Sequence, residues 1–457
     1  MRLRAKEKVA YGLGAIGKDM VYMLSASYVL YYYQDLLGVN AVAMGIILMA
    51  ARIFDAFNDP IMGVIVAKTK TRWGKFRPWL MIGTVLNAFV LYFMFAAPPA
   101  MDGSGLVAYA AIIYILWGVT YTMMDIPYWS MIPAFTQGGK ERENLSTMAR
   151  SCAGAGSAIV TVVTMICVKA LGAHAGAEWE VEGFRWFALI VAIVFVICIT
   201  ITCLQIKEDS TTDMETVSVK EMFRALFRND QAMVVVATIV LVNSAIYITS
   251  NLVIYFFKYD VGGSEWYNSY TLFNTFGGAV QILSMMLLLP LLRKVMSIMR
   301  LTRVCFGMFV FGYLSLLAIC FTDMKSVVVL FVPGFFIFAA NGIMSVLTTV
   351  FLANSVDYGE WKNGRRDESV IFSMQTFVVK LASGVSAFVA SICLSVFQIS
   401  KDTESADAAV TSMSSIIGLR MTMTVLPVLG IVAAILVFTK RFFLTEEKLE
   451  EIAKERV

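Results

Sequence analysis

The sequence ARIFDAFNDPIMG concentrates charged and amide side chains in a strongly apolar stretch. Asp55 and Asp59 are four residues apart, so in a helix they share one face, with Asn58 beside them. Carboxylate and amide oxygens are ligands that a small hard cation prefers, and a carboxylate in an apolar site can instead hold a proton. The structural alternative is that both acids only pair with Arg52 and Lys18 and so join helices.

A second polar group occurs in TYTMMDIPYWS. Tyr121, Thr122, Asp125 and Trp129 follow one another at spacings that place them around one helical face. An aspartate that accepts hydrogen bonds beside an indole that stacks on C–H groups is suited to holding a sugar. The alternative is that Trp129 packs in a core and Asp125 forms an ion pair.

Most of the chain is too apolar for a soluble protein. Of 457 residues, 59% are hydrophobic and 15% are charged. Apolar runs of about 20 residues recur along the whole length, as expected of membrane-spanning helices. The predicted spans are 10–34, 41–66, 78–98, 106–134, 148–170, 184–205, 231–257, 267–292, 302–321, 327–356, 369–397 and 413–439.

Several charges fall inside these spans. A charge at the bilayer centre costs at least about 2.5–3.5 kcal/mol, so such residues usually face a polar cavity or a partner. On the eleventh span Gln375, Thr376 and Lys380 form a further polar group, and Lys380 could pair with acids of the first two spans. The charged residues within spans are Lys18, Asp19, Arg52, Asp55, Asp59, Asp125 and Lys380.

The loops predict the orientation and the domains. Most of the 37 Lys and Arg lie in alternate connections and at both termini, and positively charged short loops stay in the cytoplasm. Both termini are therefore expected to be cytoplasmic. A long polar connection, in which VSVKEMFRALF can form an amphipathic helix, predicts two halves. The expected domains are a six-helix bundle at 1–206, a linker at 207–230, a second six-helix bundle at 231–440 and a tail at 441–457.

Other features exclude several functional classes. The seven cysteines have no metal or disulfide spacing, and the single histidine, His174, lies in a short loop. No nucleotide-binding loop or hydrolase motif is present, so neither an enzyme nor a resident cofactor is expected. The net charge of +4 follows from the loop bias and does not indicate nucleic acid. The glycines of YGLGAIG and AGAGSA are expected to allow close helix contact. No cleavable signal peptide is expected.

Together these segments resemble the glycoside–pentoside–hexuronide:cation symporters of the major facilitator superfamily, and among them the melibiose carriers. The resemblance extends over nearly the whole chain and is carried by YGLGAIGKD, ARIFDAFNDPIMG, TRWGKFRPW, ILWGVTYTMMDIPYWS, VDYGEW and SMQTFVVK. It implies an all-α membrane protein with twelve transmembrane helices in two pseudo-symmetric bundles, substrate bound at mid-membrane between them, and a place in the bacterial inner membrane.

The resemblance also implies the site residues. The implied ligands of Na⁺, or of another coupling cation, are Asp55, Asn58, Asp59 and Thr122. The implied sugar site comprises Lys18, Asp19, Tyr121, Asp125, Trp129, Arg150, Gln375, Thr376 and Lys380. Ala26 and Ser345 stand where melibiose carriers have aromatic residues, so the pocket is expected to differ in shape.

The resulting hypothesis is secondary transport of a glycoside together with Na⁺, H⁺ or Li⁺ by alternating access. Its partners would be a glycoside, a monovalent cation and the lipid bilayer, with the chain acting as a monomer. Two other functions stay open. One is a carrier of the same fold for amphipathic or lipid cargo, which the polar set Asp19, Asp125 and Arg150 argues against. The other is a sugar sensor that does not transport.

Overall fold

The predicted spans are helical in the computed structural model, which describes residues 4–99, 101–135, 139–207, 219–263, 265–322, 326–364, 368–399 and 412–455. Within these ranges the chain is almost entirely helical, and the one β-type pairing is an isolated bridge from Thr71 to Gly74. Eleven helical spans there are long and apolar enough to cross a membrane. The predicted all-α membrane fold is confirmed.

The described residues divide into two compact units, 4–207 and 219–399 with 412–455. The helices of the first unit are α1 Ala5–Tyr31, α2 Ala41–Lys68, α3 Arg77–Met94, α4 Gly103–Ser130, α5 Ile132–Phe135, α6 Gly139–Gly172 and α7 Trp179–Gln205. Those of the second unit are α8 Val219–Arg228, α9 Asp230–Tyr255, α10 Trp266–Leu283, α11 Leu289–Arg293, α12 Ile298–Cys320, α13 Val327–Asn363, α14 Glu368–Val396, α15 Met413–Arg441 and α16 Glu446–Glu455.

Helix α1 is the first predicted span, but it is not among the eleven most apolar ones. It has 27 residues, which is long enough to span the hydrocarbon layer. Lys18 and Asp19 in its middle lower its mean hydropathy. The weaker membrane signal of α1 therefore arises from residues that the sequence marks as candidates for function.

Glycines let the helices of the first unit approach closely. Helix α1 packs against α6 and α7, while α4 packs against α2 and α3. A Cβ atom added to Gly156 would collide with the carbonyl oxygen of Ile16, and one added to Gly17 would lie 2.8 Å from Cβ of Cys198. The contact role predicted for YGLGAIG and AGAGSA is confirmed at these positions.

The second unit is built around α9, which packs against α14 and α15. The predicted amphipathic helix is present as α8, with Ala225 and Leu226 buried and Phe227 exposed. The ring of Phe223 contacts that of Phe377 on α14 at a centroid distance of 5.6 Å. Helix α8 is thereby attached to its own unit.

The two units share a local feature at the ends of their first long helices. Helix α1 continues into a π-helical turn, Tyr32–Leu36, and α9 continues into another, Phe256–Val261. Each turn contains a buried aspartate, and each is followed by a glycine with positive φ, 71° at Gly38 and 70° at Gly262. Such φ values favour glycine because a Cβ atom is disfavoured there. This repeat is a structural counterpart of the pseudo-symmetry expected of the fold.

The aspartate of the second turn belongs to a buried ion pair. Asp260 accepts two hydrogen bonds of 2.7 Å from the guanidinium of Arg420 on α15. This bidentate geometry fixes both side chains. The pair therefore ties the end of α9 to α15.

Two helices extend beyond the predicted spans. Helix α6 begins at Gly139, so the charged segment expected as a loop is largely helical. Helix α13 continues to Asn363 and ends where Gly364 adopts φ of 65°. Polar residues at a helix end do not stop the backbone hydrogen-bond pattern, so apolar length underestimates helix length.

Candidate functional site

A buried lysine organises the first polar cluster of the first unit. Lys18 on α1 is 3% exposed. Its Nζ lies 2.9 Å from Oδ2 of Asp19 and 2.8 Å from Oδ1 of Asp125 on α4. Lys18 also donates a hydrogen bond of 3.3 Å to the hydroxyl of Tyr121. One ammonium thus orients two carboxylates and a phenol from two helices.

Aromatic rings surround this ammonium. Lys18 Nζ lies 5.0 Å from the ring of Trp129 and 5.7 Å from the rings of Tyr121 and Tyr128, within cation–π range. The indole N–H of Trp129 donates to Oδ1 of Asp125 at 3.1 Å. The exposed Arg150 places its guanidinium carbon 5.3 Å from the same indole. The indole is therefore held at one edge and flanked by cations.

The two acids of this cluster keep oxygens available to a ligand. The side chain of Asp19 is 19% exposed and that of Asp125 is 20% exposed, whereas that of Lys18 is only 4% exposed. Among the described residues, neither Oδ1 of Asp19 nor Oδ2 of Asp125 has a protein partner. Carboxylate oxygens are strong acceptors for hydroxyl groups. The cluster can thus bind a polyol without losing its internal ion pairs.

The second polar cluster lies between α2 and α4. Thr122 donates a hydrogen bond of 2.9 Å to Oδ1 of Asp59. Asp55 is buried, and its Oδ2 lies 3.5 Å from Nη1 of Arg52. Gly118 leaves room for this acid, because an added Cβ atom would lie 2.5 Å from Oδ1 of Asp55. Close packing of α4 on α2 therefore depends on the missing side chain.

Asn58 completes this group in a way that suits a cation. Its Nδ2 is buried and has no hydrogen-bond partner among the described residues. The nitrogen and oxygen of a carboxamide are assigned from their partners, so the opposite rotamer would place an oxygen at this position. The resulting donor set of two carboxylates, an amide and a hydroxyl fits a small monovalent cation. The described residues contain no metal-type group of three or more His, Cys, Asp or Glu.

Helix α4 connects the two clusters. Thr122 donates to Asp59 of α2, and Asp125, three residues later, contacts Lys18 of α1. Residues three apart occupy adjacent positions on one helix surface. A shift of α4 that alters one cluster therefore alters the other.

Three residues of this region were not predicted from the sequence as site residues: Tyr22, Trp117 and Gly118. The guanidinium carbon of Arg52 lies 5.7 Å from the ring of Tyr22 and 5.9 Å from that of Trp117. The rings of Tyr22 and Trp117 each contact Tyr121, at 5.6 Å and 5.2 Å. Tyr22 follows Lys18 by four residues, and Trp117 precedes Tyr121 by four residues. This helical spacing from a predicted site residue is the signal that could have identified both aromatic residues.

Two groups of residues singled out in the sequence remain. One is the polar group of α14, and the other is the pair of positions that differ from the melibiose carriers. On α14, Gln375 and Lys380 are partly exposed and Thr376 is exposed. Ser345 on α13 is exposed and donates to the carbonyl of Gly342 at 2.7 Å, and Ala26 on α1 is exposed. The two positions expected to be aromatic in melibiose carriers, Ala26 and Ser345, therefore both carry small side chains in this protein.

The chain is similar to known transport proteins over most of its length. Residues 10–446 match the family described as MFS/sugar transport protein. The raffinose carrier protein of Pediococcus pentosaceus is 29% identical, with 98% of this chain and 71% of the relative covered. A putative glycoside/cation symporter of Escherichia coli, YagG, is 24% identical, with coverage of 100% and 95%.

Solved structures bear on the fold alone. A bacterial homolog of the human lysosomal transporter Spinster, in an inward-facing and unoccupied conformation, aligns with a TM-score of 0.70 at 12% identity and covers 98% of this chain and 97% of its own. The fold is thus that of the major facilitator superfamily, and the chain is a multi-pass protein of the bacterial inner membrane. With these matches over nearly its full length, the chain belongs to the MFS/sugar transport protein family, in the group of glycoside–pentoside–hexuronide:cation symporters.

Proposed function

We propose that this protein couples the uptake of a glycoside to the entry of Na⁺, with H⁺ or Li⁺ as alternative coupling cations, by alternating access. One observation carries the proposal: α4 contacts two polar clusters of different chemistry one turn apart, through Thr122 and Asp125. The names of the relatives, a raffinose carrier and a glycoside/cation symporter, support the same assignment.

The proposed sugar site is the cluster around Lys18. Asp19 and Asp125 offer acceptor oxygens to sugar hydroxyls, and the indole of Trp129 offers an apolar face to the C–H groups of a ring. Lys18 positions the acids, because its buried ammonium contacts both carboxylates. Further proposed contacts are Tyr121 and Arg150 here, and Gln375, Thr376 and Lys380 on α14.

The proposed cation site is formed by Asp55, Asn58, Asp59 and Thr122. Na⁺ and Li⁺ prefer several oxygen ligands, and a proton needs only one carboxylate. The two neutral side chains beside the acids therefore favour Na⁺ or Li⁺. The unpartnered buried nitrogen of Asn58 supports this assignment, because rotation of the carboxamide would supply another oxygen.

Coupling follows from the shared helix. A cation that binds Asp59 and Thr122 fixes α4 and so orders Asp125 for the sugar. By thermodynamic linkage the sugar must tighten cation binding by the same factor, commonly about 5–150-fold. A single chain contains every part of this mechanism, so the proposal needs no second subunit.

The test uses purified protein in proteoliposomes, with glycoside-dependent uptake of ²²Na⁺ and accumulation of labelled raffinose or lactose as readouts. Asp59→Cys should abolish accumulation driven by the cation gradient, because it removes a ligand of the coupling ion. Asp102→Asn is the matched control, since this exposed acid precedes α4 and makes no side-chain cap bond. Intact accumulation by Asp59→Cys would refute the coupling assignment.

The same vesicles test the sugar site and the competing functions. Asp125→Ala should lose glycoside binding, because both the acceptor oxygen and the partner of Lys18 are removed. Tighter binding of a lysolipid than of any sugar in the panel would favour a lipid carrier. Binding of sugar without any accumulation by the wild type would favour a sensor.

A further inference from the structure

Two buried tyrosines join α1 and α4 at one end of the Lys18 cluster. Tyr11 on α1 and Tyr128 on α4 are both fully buried. The hydroxyl of Tyr11 donates to the carbonyl of Tyr128 at 2.6 Å, and the hydroxyl of Tyr128 donates to the carbonyl of Tyr11 at 2.5 Å. The two rings are stacked, with centroids 4.4 Å apart and planes inclined by 8°. Together they form a reciprocal contact, the tyrosine pair.

The reciprocal geometry restrains the register of the two helices. Each hydroxyl is directed at a carbonyl of the opposite backbone, so a slide of one helix along the other strains both bonds at once. A carbonyl within a helix cannot turn to follow a moving donor, because the backbone sets its orientation. The tyrosine pair therefore favours one register of α1 against α4.

Other contacts of these helices leave this task to side chains. Helix α1 packs mainly against α6 and α7, and α4 packs mainly against α2 and α3. The carbonyl of Tyr128 is among the last four of α4, which receive no donor from within a helix. Pro127 beside it has no N–H to give to the carbonyl one turn earlier. The Tyr11 hydroxyl thus anchors the turn of α4 that follows Asp125.

The tyrosine pair adjoins the Lys18 cluster directly. The ring of Tyr128 lies 5.7 Å from Nζ of Lys18 and meets the indole of Trp129 edge-on at a centroid distance of 5.2 Å. Along the chain, Tyr11 lies about two helical turns before Lys18, and Tyr128 lies about one turn after Asp125. A change of register at the pair is therefore carried along both helices to the contact between Lys18 and Asp125.

We propose that Tyr11 and Tyr128 are positioning residues of the sugar site. By fixing the register of α1 against α4, they hold the acceptor oxygens of Asp19 and Asp125 at the separation that one sugar ring requires. The inference rests on the proposed function and adds two residues that do not contact the ligand. Each hydroxyl is buried and already donates to a backbone carbonyl, so neither is available to a sugar.

The first experiment removes the hydroxyls and keeps the stacked rings. Tyr11→Phe and Tyr128→Phe should each raise Kd for labelled raffinose or lactose about 2- to 10-fold, the effect of one lost hydrogen bond. Na⁺ affinity without sugar should stay near the wild-type value, because the proposed cation ligands lie on α2 and α4 and none lies on α1. Titration of the purified protein in proteoliposomes, with sugar and separately with Na⁺, measures both affinities.

Thr202→Val is the matched control. Thr202 is fully buried on α7, and its hydroxyl donates to the carbonyl of Ala10, the neighbour of Tyr11, at 2.7 Å. The valine removes a bond of the same kind to the same turn of α1, but from a helix that carries no proposed sugar residue. It should leave Kd for sugar unchanged. Equal losses of sugar affinity in Thr202→Val and in the tyrosine variants would overturn the inference.

The double variant, with phenylalanine at both positions, tests whether the two bonds act together. Once the first bond is lost the register is no longer fixed, so the second loss should add little. Sugar binding should then weaken by less than the product of the two single effects. Fully multiplicative effects would show two independent bonds and contradict their action as a pair.

The outcomes separate the two proposals. A wild-type protein that neither binds nor accumulates a glycoside contradicts the proposed function, and with it this inference. A wild type that binds and accumulates glycosides, with tyrosine variants whose Kd for sugar is unchanged, contradicts the role of the tyrosine pair alone. The same holds if sugar and Na⁺ affinity fall equally in those variants, because general damage to the unit would then explain both losses.

Discussion

At the scale of single residues, the cluster around Lys18 shows how a membrane protein keeps charge within a helix bundle. A buried charge that loses its partner is strongly destabilising, and a hydrogen-bonded partner offsets much of the desolvation. Lys18 has two carboxylate partners, so neither acid must give all its oxygens to the ion pairs. The surplus acceptors are what a neutral, hydroxyl-rich ligand requires.

Gly118 offers a residue-scale test of the proposed cation site. In Gly118→Ala the new Cβ atom would lie 2.5 Å from Oδ1 of Asp55, so the carboxylate must move. We expect Na⁺ affinity to fall at least about tenfold, or about 1.4 kcal/mol, as measured by Na⁺ titration of sugar binding.

The control for this change is Gly105→Ala, in the first turn of the same helix. An added Cβ atom there meets nothing within 4 Å. Gly105→Ala should leave Na⁺ affinity unchanged. If Gly118→Ala matched this control, Asp55 would not belong to the cation site.

At the scale of elements, α4 has a role that its amino-acid pattern only partly reveals. It carries residues of both clusters, and it packs against α2 and α3. Its contact with α2 is close because Gly118 lacks a side chain. Under the proposed mechanism, α4 transmits a shift from one cluster to the other as a rigid body.

Thr122→Val tests this transmission. The valine is similar in shape but removes the hydrogen bond to Asp59, and a bond to a charged acceptor contributes about 1.5–3 kcal/mol. We expect Na⁺ to lose most of its ability to tighten sugar binding, whereas sugar affinity without Na⁺ stays near the wild-type value. Calorimetric titration of sugar with and without Na⁺ measures both quantities.

Thr200→Val on α7 serves as the comparison, because that hydroxyl donates to the carbonyl of Val196 in its own helix. It should preserve the effect of Na⁺. Full Na⁺ enhancement in Thr122→Val would mean that coupling runs through another element.

The limits of sequence reasoning also appear at this scale. Apolar runs predicted the spans because hydrocarbon thickness sets their length, but the polar extensions of α6 and α13 carry no such signal. The sequence identified three acids, Asp55, Asp59 and Asp125, as candidates for function. A charge within a membrane span is energetically costly, so it occurs mainly where it has a partner or a functional role. The sequence did not identify Gly118, Tyr22 or Trp117 as site residues. Small and aromatic residues are common in membrane helices, and only the contacts with neighbouring residues reveal the roles of these three.

At the scale of the whole molecule, each unit ends its first long helix with a π-helical turn that holds a buried acid. In the second unit this acid, Asp260, forms a bidentate pair with Arg420, and both side chains are nearly inaccessible. Removing one partner would leave an uncompensated buried charge. The pair therefore constrains the stability of the fold.

Asp260→Ala should lower the free energy of unfolding by about 3–5 kcal/mol. Glu451→Ala is the comparison, because it removes an exposed pair with Lys448, and such pairs contribute about 0–1 kcal/mol. Chemical denaturation in detergent, followed by circular dichroism, measures both variants. Equal stability of the two variants would show that the buried pair does not support the fold.

The charges of the first unit have a consequence for energetics. The two polar clusters, together with Arg150 beside Trp129, contain three cations and four acids. The cations are Lys18, Arg52 and Arg150, and the acids are Asp19, Asp55, Asp59 and Asp125. With all groups ionised, this set has one surplus negative charge, which a bound monovalent ion cancels. Lys380 of the proposed sugar site adds one positive charge, so under the proposed mechanism these groups sum to zero in the empty carrier. The cation-loaded carrier then bears one positive charge, and an interior-negative voltage drives the loaded step inward. Each 100 mV supplies about 2.3 kcal/mol per elementary charge. Under the proposed mechanism, membrane voltage thus adds to the ion gradient in setting how far a neutral cargo is concentrated.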